Sequence, residues 1–341
     1  RSELFGPDHP DTAESCNELG CVLEKQGNSQ AAAEYFRRAL AIFEKTYPEG
    51  HAHTAACHSN LANSLFPSGD FETAAAHLRK AVEINEALHG PDHPAIAGDV
   101  NNLGITLAGT GNLEEARNCF MRAVGIDEQI YGPKHPNVAT RLNNAAMVLK
   151  SLGDLEWARE YLERAVAVNE HALGPDHPEV GGNYNNLGSV FQEAGKYSAA
   201  AAAYTRALSI LEKHYGEDSE IIAACRENVG SAKILVGLFG EARRFLESSL
   251  AIYEKILGPD HPELSPRLQQ LGMLLHDLAQ FPEAEKLFRR ALEIDSQHYG
   301  PDHPETAYAH TNIGNCRIME HDFQGARKCL EQAYKIRKNS L

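Results

Sequence analysis

Asparagine is a poor residue for a helix interior because its amide competes for backbone groups, yet this chain returns one to the same helical position many times. Asn60, Asn102, Asn144, Asn186, Asn228 and Asn312 stand in one row, with Glu18 and Gln270 completing it. Asn17, Asn101, Asn143 and Asn185 form a second row one residue earlier. A carboxamide offers both donor and acceptor, which is what the main chain of an extended peptide requires of a partner. Two uses follow. The earlier row suits ties between neighbouring structural units, and the later row suits a grip on a bound chain that ignores its side chains. Rungs roughly 10 Å apart, against about 3.3 Å per extended residue, give one rung for about three peptide residues.

One helical turn after the later row stand Asn63, Ile105, Met147, Ser189, Ser231, Met273 and Asn315, a mixed, small and mildly apolar set. Such a rim suits a segment with a few hydrophobic anchors. Charges nearby, such as Lys25, Lys150 and Glu193, read as a solvated face and set no sign preference.

Two further rows carry titratable groups. His9, His51, His93, His135, His177, His261 and His303 recur once per unit. Packed helices lie roughly 8 to 10 Å apart, whereas zinc needs several nitrogens at about 2.0 to 2.1 Å, so these histidines are expected to cap helix ends and bind no metal. Glu44, Glu86, Glu128, Glu170, Glu212 and Glu254 recur near the ends of helices and are expected to pair with Arg, Lys or linker His groups. No Ser-His-Asp order, phosphate-cradling glycine loop or HExxH motif occurs, so neither catalysis nor a cofactor is expected.

The elements that must position these rows follow from a strict period of 42 residues. Gly6, Pro48, Gly90, Gly132, Gly174, Gly216, Gly258 and Gly300 mark successive repeat starts with no insertion or deletion. Each period holds two helices. The first is expected to open at a linker proline (Pro10, Pro94, Pro136, Pro178, Pro262, Pro304) and to stop at Gly27, Gly69, Gly111, Gly153, Gly195 or Gly237. The second carries an alanine, a large apolar residue four positions on, and a small residue three after that, as in Ala116, Phe120 and Ala123. These share one stripe, and residues such as Gly104 on the first helix mark the close helix contact. The expected fold is all-α: a right-handed α-solenoid, or superhelix, of about eight tandem helix-turn-helix repeats forming a single domain over residues 1–341.

The run Leu103-Gly104, Gly111, Ala116, Phe120 and Ala123 resembles the tetratricopeptide repeat. The 42-residue period, the Gly-Pro-Asp-His-Pro linker and the Asn-Asn-Leu-Gly start at Asn185 resemble its kinesin light chain type more closely. That resemblance implies that the asparagines, centrally Asn102, Asn144, Asn186 and Asn228, line a concave groove taking short peptides. Arrays of this kind also resemble the sensor arms of NLR-type signalling ATPases. Residues 1–5 read as the last turn of a preceding second helix, so the chain reads as a piece of a longer protein.

Three repeats depart from the pattern. Pro48-Glu49-Gly50-His51-Ala52 replaces the second linker, and Pro67 is expected to shorten or kink the helix whose end it falls near. Gly216-Glu217-Asp218-Ser219-Glu220 lacks His and Pro, with Glu227 and Lys233 following, which reads as neutral divergence or, alternatively, as a bend or loosening near residues 216–240. Gln269-Gln270 replaces the seventh asparagine pair.

A formal charge of −15 argues against nucleic acid and anionic membrane surfaces, which need a basic footprint, and favours a basic or neutral partner. No apolar run approaches membrane-spanning length. Seven scattered cysteines follow no disulfide or zinc spacing and read as free thiols in a reducing, cytoplasmic setting. The expected function is an adaptor or scaffold that captures an extended protein segment without catalysis. A ligand-sensing, autoinhibitory arm of a signalling ATPase or protease is the alternative.

Overall fold

The computed structural model describes Gly6 and residues 8–339, so the reading of residues 1–5 lies outside the described residues. Sixteen α-helices pair into eight hairpins among them. The chain divides into two compact units, Arg1–Pro175 and Asp176–Leu341.

The first unit holds α1 (Pro10–Lys25), α2 (Ser29–Thr46), α3 (Ala52–Leu65), α4 (Phe71–His89), α5 (Pro94–Gly109), α6 (Leu113–Tyr131), α7 (Pro136–Ser151) and α8 (Leu155–Leu173). The second holds α9 (Pro178–Glu193), α10 (Tyr197–Leu211), α11 (Glu220–Leu235), α12 (Phe239–Leu257), α13 (Leu264–Asp277), α14 (Phe281–Tyr299), α15 (Pro304–Met319) and α16 (Phe323–Asn339). Within each unit a helix packs chiefly on its sequence neighbours, and α1 also touches α3, α5 touches α7 and α13 touches α15. The chain is an α-solenoid of tandem helix pairs, in which no hairpin closes a core alone.

Steric fit inside the hairpin explains the alanine stripe. Ala116, Ala123 and Phe120 are all buried, and a Cβ added at Gly104 would lie 2.9 Å from the Phe120 ring. The same clash would arise at Gly20 against Phe36 and at Gly272 against Phe288. Where the first helix carries Ala62 or Ala146 instead, the facing residue is the smaller Leu78 or Leu162. Every ring at this position faces a glycine, as close packing demands, and glycine also faces leucine at Gly230 against Leu246 and Gly314 against Leu330.

The ends of the first helices follow the expected chemistry with three adjustments. All the glycine stops named above have positive φ, near 72 to 83°. In the last two hairpins Ala279 (φ 57°) and His321 (φ 64°) take that conformation without a glycine. Pro67 does shorten its helix: α3 stops at Leu65 and a 3₁₀ turn covers Phe66–Ser68. The expected start at Pro262 is corrected, since α13 begins at Leu264. Pro266 has no N–H to return to the Pro262 carbonyl, and Ser265 N–H bonds that carbonyl instead, at 3.1 Å. In the sixth linker α10 ends early at Leu211, and the Ser219 hydroxyl caps α11 by accepting from Ile222 N–H at 3.3 Å.

Candidate peptide-binding face

Every residue of the later asparagine row lies on a first helix and is half-buried. The two rows are not independent, because the later row reaches back to the preceding hairpin. Asn60 Nδ2 donates to Asn17 Oδ1 at 3.1 Å, Asn144 Nδ2 to Asn101 Oδ1 at 3.0 Å, and Asn228 Nδ2 to Asn185 Oδ1 at 3.0 Å. Between these rungs the reach is one turn shorter, to the rim row. Asn102 Nδ2 donates to Asn63 Oδ1 at 3.2 Å, and Gln270 Nε2 to Ser231 Oγ at 2.7 Å. The tie between hairpins expected of the earlier row thus uses one donor of the later row as well. The carbonyl oxygens of Asn60, Asn144 and Asn228 face no protein donor in these bonds, while Asn102 Oδ1 accepts from Asn101 Nδ2 at 3.2 Å.

The rim is uneven. Ile105 and Met273 are exposed, at 42% and 50%, Met147 is half-buried, and the Ser189 hydroxyl is buried without a hydrogen-bond partner. Two clefts of the second unit touch the rows. One of about 380 Å³ brings the Asn185–Asn228 pair beside Leu211, Tyr215 and Ile221. Another of about 250 Å³ joins Asn312 and Asn315 to Met273 and the Phe288 ring.

A tetratricopeptide repeat model matches residues 1–45, 97–170, 142–213, 219–297 and 264–339, and a second model of that repeat matches residues 54–95. The chain belongs to the tetratricopeptide repeat family. Its fold is similar to that of solved kinesin-light-chain-like repeats. A Podosopora anserina putative kinesin light chain with nearly identical TPR-like repeats is 22% identical, with TM-score 0.54 over 61% of this chain and 98% of that one. A STAND protein with a tetratricopeptide repeat sensor from Pyrococcus horikoshii matches 95% of this chain and 47% of its own at 14% identity and TM-score 0.70. The apo quorum sensor NprR of B. thuringiensis matches 96% of this chain and 88% of its own at 12% identity and TM-score 0.66. No curated protein matches the chain.

The linker histidines of this tetratricopeptide array act at helix ends. In each of the seven, Nδ1 accepts the backbone N–H two residues on, at 3.2 to 3.3 Å. Among the described residues no group of three or more His, Cys, Asp or Glu is placed to hold a metal ion, and no helix is long and apolar enough to cross a membrane. The acidic row pairs across hairpins: Arg122 Nη2 lies 2.6 Å from Glu86, Arg226 Nη2 lies 3.0 Å from Glu212, and Arg164 and Arg290 reach Glu128 and Glu254. All seven cysteines are free. Burial pushes the Cys57 thiol up to about 12 and that of Cys225 up to about 11, which removes them as nucleophiles at neutral pH.

A third polar row escaped the sequence reading. Asn85, Asp127, Asn169 and Asp295 are buried on second helices, where the same register holds Phe43 or Tyr253. At three positions of this register the next helix answers fourteen residues on: Asn85 Nδ2 donates to Asp99 Oδ2 at 3.0 Å, Arg141 Nε donates to Asp127 Oδ2 at 3.1 Å, and Arg267 stacks over the Tyr253 ring at 3.7 Å, whereas Asp295 Oδ2 accepts from Ser265 Oγ at 2.7 Å. Burial raises the Asp99 pKa while its bonds from Ser59 and Asn85 oppose the rise. The available signal was a polar residue recurring at the repeat period inside an otherwise apolar helix face.

Proposed function

We propose that the first-helix face of this array binds an extended segment of a partner protein, with the later asparagine row holding its main chain. The observation that carries this reading is the set of ties between hairpins. An amide already fixed on one side presents its remaining donor and acceptor in a set direction, so little rotamer freedom is lost when a ligand bonds it. Asn60, Asn102, Asn144, Asn186, Asn228 and Asn312 are the rungs, and Ile105, Met147 and Ser189 supply adjoining apolar and small contacts. The segment has a few hydrophobic anchors, and the net charge of −15 favours a basic one. The array acts as an adaptor or scaffold in the cytoplasm, where free thiols persist.

A second reading keeps the same face and makes it a sensor. It is favoured by the breadth of the likeness to a STAND sensor and a quorum sensor, over 95% and 96% of the chain. Ligand-dependent nucleotide hydrolysis by the native protein would select it over the adaptor.

Binding is tested by pull-down and titration with a peptide library. Asn144→Ala combined with Asn186→Ala is expected to weaken the best peptide at least about tenfold, from the loss of two hydrogen bonds at ~1 kcal/mol each, with helical content unchanged by circular dichroism. Asn101→Ala separates the roles, since it removes the tie to Asn144 yet leaves the rung. Unchanged affinity in the double variant refutes the assignment.

A further inference from the structure

The acidic row has a regular answer thirty-six residues on, where Arg164 meets Glu128 and Arg290 meets Glu254. Arg122 does the same to Glu86, and its Nη2 also donates to the Pro91 carbonyl at 2.8 Å. Arg290 likewise reaches a linker carbonyl, that of Pro259, at 2.6 Å. A guanidinium bridging a helix-end glutamate to the linker is thus built into these hairpins. The second hairpin lacks it. Lys80 stands at that register and turns to Glu83, at 2.7 Å, and Glu44 lies beside the His58 ring, with Nε2 to Oε1 3.6 Å. Where the bridge would lie there is a cleft of about 410 Å³, bounded by Glu44, Glu49, Tyr47 and Ile84.

A second observation points into the same space. Thr12, Thr54 and Thr306 share one register. Thr12 Oγ1 donates to the Gly6 carbonyl at 3.0 Å, and Thr306 Oγ1 donates to the carbonyls of Pro301 and His303, at 3.0 and 2.6 Å. Thr54, only 3% exposed, has a hydroxyl with no partner, and it lines the cleft. The linker before Thr54 differs from the other two: its positive φ sits at Gly50 (φ 91°), two residues after the repeat-start position. A buried hydroxyl without a partner is costly, and Thr54 borders a space bounded by three carboxylates and one ammonium, Glu44, Glu49, Glu83 and Lys80.

We propose that this cleft binds a guanidinium cation from another molecule, either an arginine side chain of a partner protein or a small guanidino compound. The ligand takes the place that Arg122, Arg164 and Arg290 fill from the following hairpin. Its planar fork meets Glu44 and Glu49, one N–H is accepted by Thr54 Oγ1, and Tyr47 and Ile84 flank the aliphatic stem. The site is separate from the asparagine rows and does not depend on the peptide reading.

Calorimetric titration of the whole chain tests it, with three probes: ethylguanidinium, N-acetylarginine amide, and a blocked Ala-Ala-Arg-Ala-Ala peptide. At least one is expected to bind saturably, and the citrulline analogue of that peptide is expected not to bind. Equal affinity for ethylguanidinium and peptide marks a small-molecule site, and a peptide preference of tenfold or more marks a protein partner. Thr54→Val is expected to weaken binding about tenfold or more. It should fold, because Val138 and Val180 hold the same register in other hairpins. Lys80→Arg is expected to abolish binding by supplying the missing guanidinium from within, while Thr12→Val leaves it unchanged. No saturable binding by any probe, or wild-type affinity in Lys80→Arg, overturns the proposal.

Discussion

The His58 ring is buried with its Nδ1 2.9 Å from His77 Nδ1 and its Nε2 3.6 Å from Glu44. One proton can serve the contact between the two rings, so both cannot be charged at once. Burial, followed by the nearby cations His77 and Lys80, lowers the His58 pKa from its ordinary 6.5 to about 4. A depressed histidine pKa means that the native state prefers the neutral ring. Its contribution is therefore complete above pH 6.5 and is lost as pH falls through that value towards about 4, a loss of about 3 kcal/mol at most. Urea denaturation of the wild type between pH 7 and pH 4 is expected to show that decline, and His58→Leu should flatten it. An identical slope in the variant would assign the decline to other groups. At this scale the sequence was legible where a residue acts on its near neighbours, as the linker histidines do two residues on. The asparagine rows were legible in position but only partly in role. Their bonding partners stand 39 or 43 residues away, and one turn of rotation in a side chain decides between them.

In six hairpins the residues sixteen positions apart are matched, glycine against a ring or alanine against leucine, as Gly104 faces Phe120 and Ala146 faces Leu162, while Gly230 and Gly314 face Leu246 and Leu330. Gly104→Ala should overpack the hairpin, with a Cβ 2.9 Å from a fully buried ring, and is expected to cost about 1 to 3 kcal/mol. Adding Phe120→Leu recreates the pairing that α7 and α8 already use, so the double variant should be more stable than the sum of its single changes by at least ~1 kcal/mol. A strictly additive double-mutant cycle in chemical denaturation would show that the pairing is incidental. The alternation of small and large residues made this contact readable from the sequence. Helix ends were less so. The linker prolines all look alike in sequence, but Pro266 four residues beyond Pro262 removes the bond that would have begun α13 there, a contest between two prolines that a start signal alone does not reveal. Ala279 and His321 hold the left-handed conformation because the six-residue turn closes from Gln280 N–H to Leu275 O and from Asp322 N–H to Arg317 O, at 2.9 and 2.8 Å.

For the whole molecule the repeat period carries nearly all the information, since each hairpin needs only its neighbours. The division between Pro175 and Asp176 was not legible, because it falls inside Gly174-Pro175-Asp176-His177-Pro178, the most regular linker of the chain, with no change in composition to mark it. Each unit holds four hairpins, and a stack needs about three to bury a continuous core. Large clusters of each core lie inside one unit. The cluster of Phe36, Phe43 and Leu61 and that of Leu78, Leu107 and Phe120 belong to the first, and the cluster running from Ala200 to Ile294 belongs to the second. Residues 1–175 and 176–341, produced as separate chains, are therefore each expected to fold on their own. Each should show a helical far-ultraviolet spectrum, a cooperative thermal transition, and a urea slope roughly half that of the whole chain, in proportion to the surface exposed on unfolding. A half that melts without cooperativity and binds a hydrophobic dye would mean that its four hairpins do not complete a core without the other four.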